Sequence, residues 1–168
     1  TRFMMRVALA ALAVMSLAWP VSGARADNYP SRSVRIIVAF SPGGPTDSMA
    51  RIVAEKLGEK LGQHVIVENR PGAGGNIGYE SVAKSHADGY TLAFVDPSLT
   101  VNPSLYTPAK FDPERDFTPI SLAVRGPTVM TVPAGIAAKT VGEFIALVRG
   151  KQGQATYGSA GNGTPPHL

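Results

Sequence analysis

Apolar and polar positions along this chain change their spacing in a regular order, from short solid runs to four-residue recurrence and back again. Val34 to Phe40 is apolar but for Arg35. A run this short suits a strand buried on both faces of a sheet better than a core helix. From Met49 the apolar residues recur every four positions through Val53, Leu57 and Leu61, with Ile52 and Ala54 widening the stripe. That is one face of an amphipathic helix, expected from about Thr46 to Leu61 and stopped by Gly62 in a left-handed C′ conformation. His64 to Asn69 reads as a second strand, followed by the glycine-rich turn Arg70 to Asn76 and a helix through Tyr79, Val82 and Ala83. Asp88-Gly89 is a turn signal before a third strand, Tyr90 to Val95.

Strand and helix thus alternate, which predicts right-handed βαβ units in a parallel sheet. Asp96 to Pro119 is proline-rich and lacks a period, so a long ordered connection or a crossover is expected there. Ile120–Val124 and Val129–Val132 are expected as short strands on either side of Arg125-Gly126-Pro127, a plausible domain junction. Thr140 and Glu143 have capping-box spacing for a further helix, with Phe144, Leu147 and Val148 on its inner face. Ala155-Thr156-Tyr157 then leads as a strand into the glycine loop Gly158 to Thr164.

The loop between the first strand and the first helix, Ser41-Pro42-Gly43-Gly44-Pro45-Thr46-Asp47, has the character of a binding loop. It aims the unpaired N–H groups and the positive dipole end of a helix at whatever sits above the strand, and anions bind there. Gly43 and Gly44 let a ligand approach the backbone, while Pro42 and Pro45 restrict the loop. The plainer alternative is a tight βα connection. Thr46 or Asp47 can cap the first turn, and Asp47 can also accept a hydrogen bond from an ammonium or hydroxyl on a ligand.

Charge and targeting narrow the partners. Arg2 and Arg6 precede the apolar run Val7 to Trp19, and Ala24-Arg25-Ala26 has the small-residue pattern of a cleavage site. Residues 1–26 therefore read as an export signal, with cleavage before Asp27. Of the 16 Lys and Arg residues, the signal holds three, leaving 13 against 12 acidic residues. Without a basic cluster, the electrostatic case for a nucleic-acid partner disappears. The chain has no cysteine, so disulfides and thiolate metal sites are excluded.

Motifs for other chemistry fall short. Gly72-x-Gly74 is followed at position 77 by Ile77, not the glycine of a dinucleotide fingerprint, and no P-loop is present. Ser81-x-x-Lys84 has the spacing of a serine–lysine pair, but it falls mid-helix and its partner motifs are missing. His64, His86 and His167 are scattered, and only His167, beside a glycine loop, is a candidate site residue. Asn162-Gly163-Thr164 is formally a glycosylation sequon whose local role is turn geometry.

Four stretches resemble the Bug family of periplasmic solute receptors, the binding components of tripartite tricarboxylate transporters. They are Tyr29 to Val38, Phe40 to Asp47, Val67 to Gly78 with Asp88 to Leu92, and Tyr157 to Thr164 with His167-Leu168. The resemblance implies a type II periplasmic binding protein-like α/β fold of two doubly wound domains. Residues 27–125 would be the first ligand-binding domain, lacking its closing segment, and 126–168 the start of an incomplete second domain. It also implies a small organic carboxylate ligand: a di- or tricarboxylate, an acidic amino acid or an aromatic acid. One ligand loop would contribute Phe40, Ser41, Gly43, Gly44, Thr46 and Asp47; the other would contribute Ser159, Ala160, Gly161, Gly163, Thr164 and His167. A periplasmic location, no cofactor and no metal, and a monomeric state when complete are implied as well. Partners would be transporter membrane components or a sensor kinase. The competing readings are an exported α/β hydrolase using Ser41 or Ser159 with His167, and a non-functional gene fragment.

Overall fold

A computed structural model of the chain describes residues 28–151 and 153–168; the expected export signal lies outside them. Strand β1 (Val34–Val38) is central in a three-stranded parallel sheet of order β2-β1-β3, with β2 at Val65–Asn69 and β3 at Thr91–Phe94. Helix α1 (Pro45–Leu61) connects β1 to β2, and helix α2 (Asn76–Ala83) connects β2 to β3 after a single 3-10 turn at Ala73–Gly75. The alternation of runs and stripes is therefore realised as two βαβ units.

The two crossover helices cover opposite faces of the sheet. Ile36 and Val38 on one face pack against Ala50 and Ala54 of α1, whereas Ala39 joins Tyr79 of α2 and Phe111 in the second cluster. A strand covered on both sides explains the solid apolar run of β1, where Val34, Ile36, Ile37 and Val38 are all buried. Arg35, its one polar residue, escapes to the surface and reaches Glu68 and Thr91 on the flanking strands.

The buried face of α1 is rotated from the expected stripe. Its fully buried residues are Asp47, Ala50 and Ala54, whereas Met49 and Ile52 are 40% and 57% exposed. Small side chains win this face because they let the helix approach Ile36 and Val38 closely, and packing outweighs the larger hydrophobicity of Met49 and Ile52. Gly62 ends the helix as expected, at φ 66°, with its N–H bonded to Gly58 O. A comparable closeness fixes α2. A Cβ on Gly78 would lie 2.7 Å from Ala39 Cα.

Beyond β3 the expected connection contains helix α3 (Ser98–Leu105), with Pro103 inside it. Phe111 then folds back onto Tyr79, ring centroids 5.7 Å apart. The expected strands at Ile120–Val124, Val129–Val132 and Ala155–Tyr157 do not form. Those segments find no partner strand among the described residues, and their apolar side chains stand in solvent, Ile120 at 79% and Val129 at 71% exposure. Helix α4 (Val141–Gly150) does form, with Thr140 Oγ1 accepting from Glu143 N. Glu143 reaches back to Lys139 N at 2.7 Å, one residue before the cap. Phe144, Leu147 and Val148 are its least exposed face, as the spacing implied.

Candidate ligand-binding site

The carboxyl ends of all three strands point to one edge of the sheet. From β1 the chain goes to β2 on one side and then crosses to β3 on the other, so the topological switch lies between β1 and β3. In open α/β sheets the crevice at such a switch is where ligands bind. The loop Phe40–Gly44 is built at this point.

Asp47 sets the shape of that loop. It is not the helix cap: Gly44 takes that position, and Thr46 makes no side-chain cap either. Asp47 instead sits in the first turn and folds back, its Oδ2 accepting from Gly43 N at 2.9 Å. Arg51, one turn along, donates to both carboxylate oxygens at 3.0 and 2.9 Å. Asn69, the last residue of β2, donates from Nδ2 to Asp47 Oδ1 at 2.9 Å and to Phe40 O at 3.0 Å. With Asp47 only 2% exposed, these donors, led by Arg51, hold its carboxyl well below the usual carboxylate range. Both of its oxygens are occupied within the loop. Its other expected task, accepting from a ligand, has no free oxygen to use.

Besides the Ser41 and Thr46 hydroxyls, the donors unpaired at this loop among the described residues belong to the backbone. Gly43 N–H is committed to Asp47, and its φ of 82° is one that glycine adopts without penalty. The amides of Gly44, Thr46 and Asp47 meet no acceptor among the described residues. A Cβ on Gly43 would have no neighbour within 4 Å. Ser41 is exposed, Phe40 and Thr46 half-buried.

The second expected set is held by a different part of the edge. Tyr106 Oη, at the end of α3, donates to Asn162 O at 3.2 Å. A Cβ on Gly74 would overlap Asn162 O, and one on Gly161 would lie 3.7 Å from Gly74 Cα, so two glycine backbones pass in near contact. Fully buried Asn102 donates to Gly74 O at 2.9 Å and lies against Gly163. Thr164 is buried and donates to Gly161 O at 2.6 Å, while Ser159 and Ala160 remain exposed. His167 Nδ1 accepts from Gly163 N at 3.4 Å. Each set is thus gathered within itself, and both are seated on loops at the carboxyl edge. No hydrogen bond among the described residues joins residues 40–47 to 159–167.

Among the described residues no serine is hydrogen-bonded to a histidine as a nucleophile would be. Ser159 Oγ accepts from Gly161 N at 3.4 Å and makes no bond to His167. Ser81 Oγ donates to Gly78 O, and Lys84 pairs with Glu80. Among the described residues no three His, Asp or Glu side chains gather as a metal site. Sequence reasoning passed over Arg51 and Asn69, although the Asp47–Arg51 spacing of four is itself a pairing signal. Asn102 and Tyr106 had no such signal, since they lie on, and just after, the helix that the sequence concealed.

The profile of the tripartite tricarboxylate transporter family receptor (TctC) matches residues 49–168. The chain belongs to this receptor family. A UPF0065 protein from the tcbD-tcbE intergenic region of Pseudomonas sp. (strain P51) is 39% identical over 160 residues, covering 94% of this chain and 48% of the relative. Among solved structures, the periplasmic binding protein BugD is similar with a TM-score of 0.73 and 33% identity, over 83% of this chain and 47% of BugD. Rpa4515 of R. palustris, solved with adipate, is similar with a TM-score of 0.77 and 35% identity, over 81% of this chain and 46% of that protein. The chain spans about half the length of the curated relatives it matches. A receptor of the Bug type with a periplasmic binding protein α/β fold agrees with the resemblance seen in the sequence, and the family is one of binding proteins, not enzymes.

Proposed function

We propose that this chain forms the loop-bearing part of an extracytoplasmic receptor that binds a small organic carboxylate in the periplasm and delivers it to a tripartite tricarboxylate transporter. The observation that carries this reading is the first loop: three amides at Gly44, Thr46 and Asp47 open at a helix N-terminus on the switch crevice, with the nearest carboxylate already neutralised by Arg51. Such amides hold a carboxylate by charge-assisted hydrogen bonds without requiring a lysine or arginine at the site. The adipate in the R. palustris neighbour supports the same ligand chemistry. Phe40, Ser41, Gly44 and Thr46 face the solute on this reading; Gly43 and Asp47 shape the loop that presents them. Ser159, Ala160, Gly161, Gly163, Thr164 and His167 form the opposing loop.

Isothermal titration of the protein as its gene encodes it, against aliphatic diacids, citrate, acidic amino acids and benzoate, tests the proposal. Saturable heat with at least one acid, and none with neutral sugars, is expected. A folded protein that binds no acid of the panel refutes it.

A further inference from the structure

A second carboxylate stands at the switch crevice, outside both expected ligand loops. Val38 and Phe94 are the last paired residues of β1 and β3. Asp96 lies two residues beyond Phe94, as Phe40 lies two beyond Val38, and neighbouring strands run about 4.8 Å apart. Asp96 and Phe40 therefore both follow the carboxyl ends of adjacent paired strands, on the edge that carries the Phe40–Gly44 loop.

The Asp96 side chain is held at one oxygen and open at the other. Oδ1 accepts from Tyr79 Oη at 3.0 Å, from Ser98 N at 3.0 Å and from Ser98 Oγ. Tyr79 is 1% exposed and Ser98 fully buried, so the core sets the position of these donors. Oδ2 meets no donor among the described residues, and the residue as a whole is half-buried. An acid fixed in this way is a preoriented acceptor. The other acid at the crevice, Asp47, has both oxygens filled by Gly43, Arg51 and Asn69.

A bare carboxylate beside an anion site repels an unsubstituted diacid and attracts a solute that brings a donor next to its own carboxylate. A polar acceptor built for a donor also discriminates strongly against an analogue that lacks it. Resting on the receptor reading above, we propose that Asp96 is a specificity-determining residue that accepts a hydrogen bond from an ammonium or hydroxyl substituent of the bound acid. The solute class is then an amino- or hydroxy-substituted carboxylate.

The test is a pair of matched series, succinate, malate and aspartate, and glutarate, 2-hydroxyglutarate and glutamate, titrated into the protein as its gene encodes it and into Asp96→Asn. Asparagine keeps an oxygen for Ser98 N and Tyr79 Oη, and a thermal melt checks its fold. In the wild type a substituted acid should bind at least tenfold more tightly than its parent diacid, and in Asp96→Asn that ratio should fall to within about twofold. If Asp96→Asn does not fold, the wild-type ratio and Asp96→Ser carry the test. A parent diacid that binds as tightly as its substituted analogues, or a ratio unchanged in the folded variant, overturns the proposal and leaves the receptor reading standing. Absence of binding by every acid in both series overturns the proposal, and the receptor reading falls with it only if citrate and benzoate fail to bind as well.

Discussion

Gly44→Val isolates the contribution of the first loop to solute binding because the structure gives the change little else to disturb. Gly44 has φ −77° and ψ 170°, extended values that any residue adopts. A Cβ there would meet only Ser41 O, at 3.6 Å, an ordinary contact. The cost to folding comes from exchanging a favourable N-cap residue for a poor one, about 1 kcal/mol, or a few degrees in Tm. Binding should suffer more. The isopropyl group stands beside an amide that has no acceptor in the protein, and shielding that N–H from a carboxylate forfeits a charge-assisted hydrogen bond of about 1.5 to 3 kcal/mol. At about 1.4 kcal/mol per factor of ten, affinity should fall roughly tenfold to a hundredfold. Calorimetric titration of wild type, Gly44→Ala and Gly44→Val with the tightest acid of the panel reads the effect, with melting curves as the control. A folded Gly44→Val that binds within twofold of wild type would show that this loop is only a connection and that the solute is held elsewhere.

Three other outcomes are expected. Because the Asp47 pKa is depressed from 3.8, its stabilising contribution is present above that value and is lost as pH falls through the lower folded-state value; melting curves taken below pH 4 should therefore fall less steeply for Asp47→Asn, which should already be the less stable protein at pH 7. Gly163→Ala would force a Cβ into Asn102 Oδ1 at a φ of 83°, and hydrogen exchange of the 158–164 amides should accelerate while that of β1 is unchanged. Protein recovered from the periplasm should begin at Asp27 by mass spectrometry, and material that retains residues before Asp27 would refute the export-signal reading.

The parallel sheet was legible because its signals are local and mutually consistent: the solid run at β1, the glycine stop at Gly62, and the Asp88-Gly89 turn before β3 each carry their own physical cause. The rotation of α1 was not, since Ala50 and Ala54 rank low in hydrophobicity and their value appears only against the surface of Ile36 and Val38. Helix α3 was concealed by Pro103, which argues against a helix interior, although the Asp96-Pro97-Ser98 start is a legible beginning. The apolar segments near Ile120 and Val129 have strand composition, but a strand exists only with a partner, and composition cannot supply one. At the site, residue types announced a glycine loop at a helix N-terminus, and Gly44 does take the N-cap. The allocation of hydrogen bonds within it was invisible, because Asp47 can cap, clamp or bind according to where Arg51 and Asn69 stand.

The carboxylate of Asp47 occupies Gly43 N–H from within its own loop. The loop thus carries an internal anion that performs on one amide what the solute is to perform on the others. Its conformation is set by Asp47, Arg51 and Asn69, so that on the proposed reading a solute meets amides that are already aligned. Ordering a flexible glycine loop at the moment of binding would oppose association. Here that entropy is surrendered beforehand, and a small acid with few atoms to offer can be held by a handful of backbone contacts.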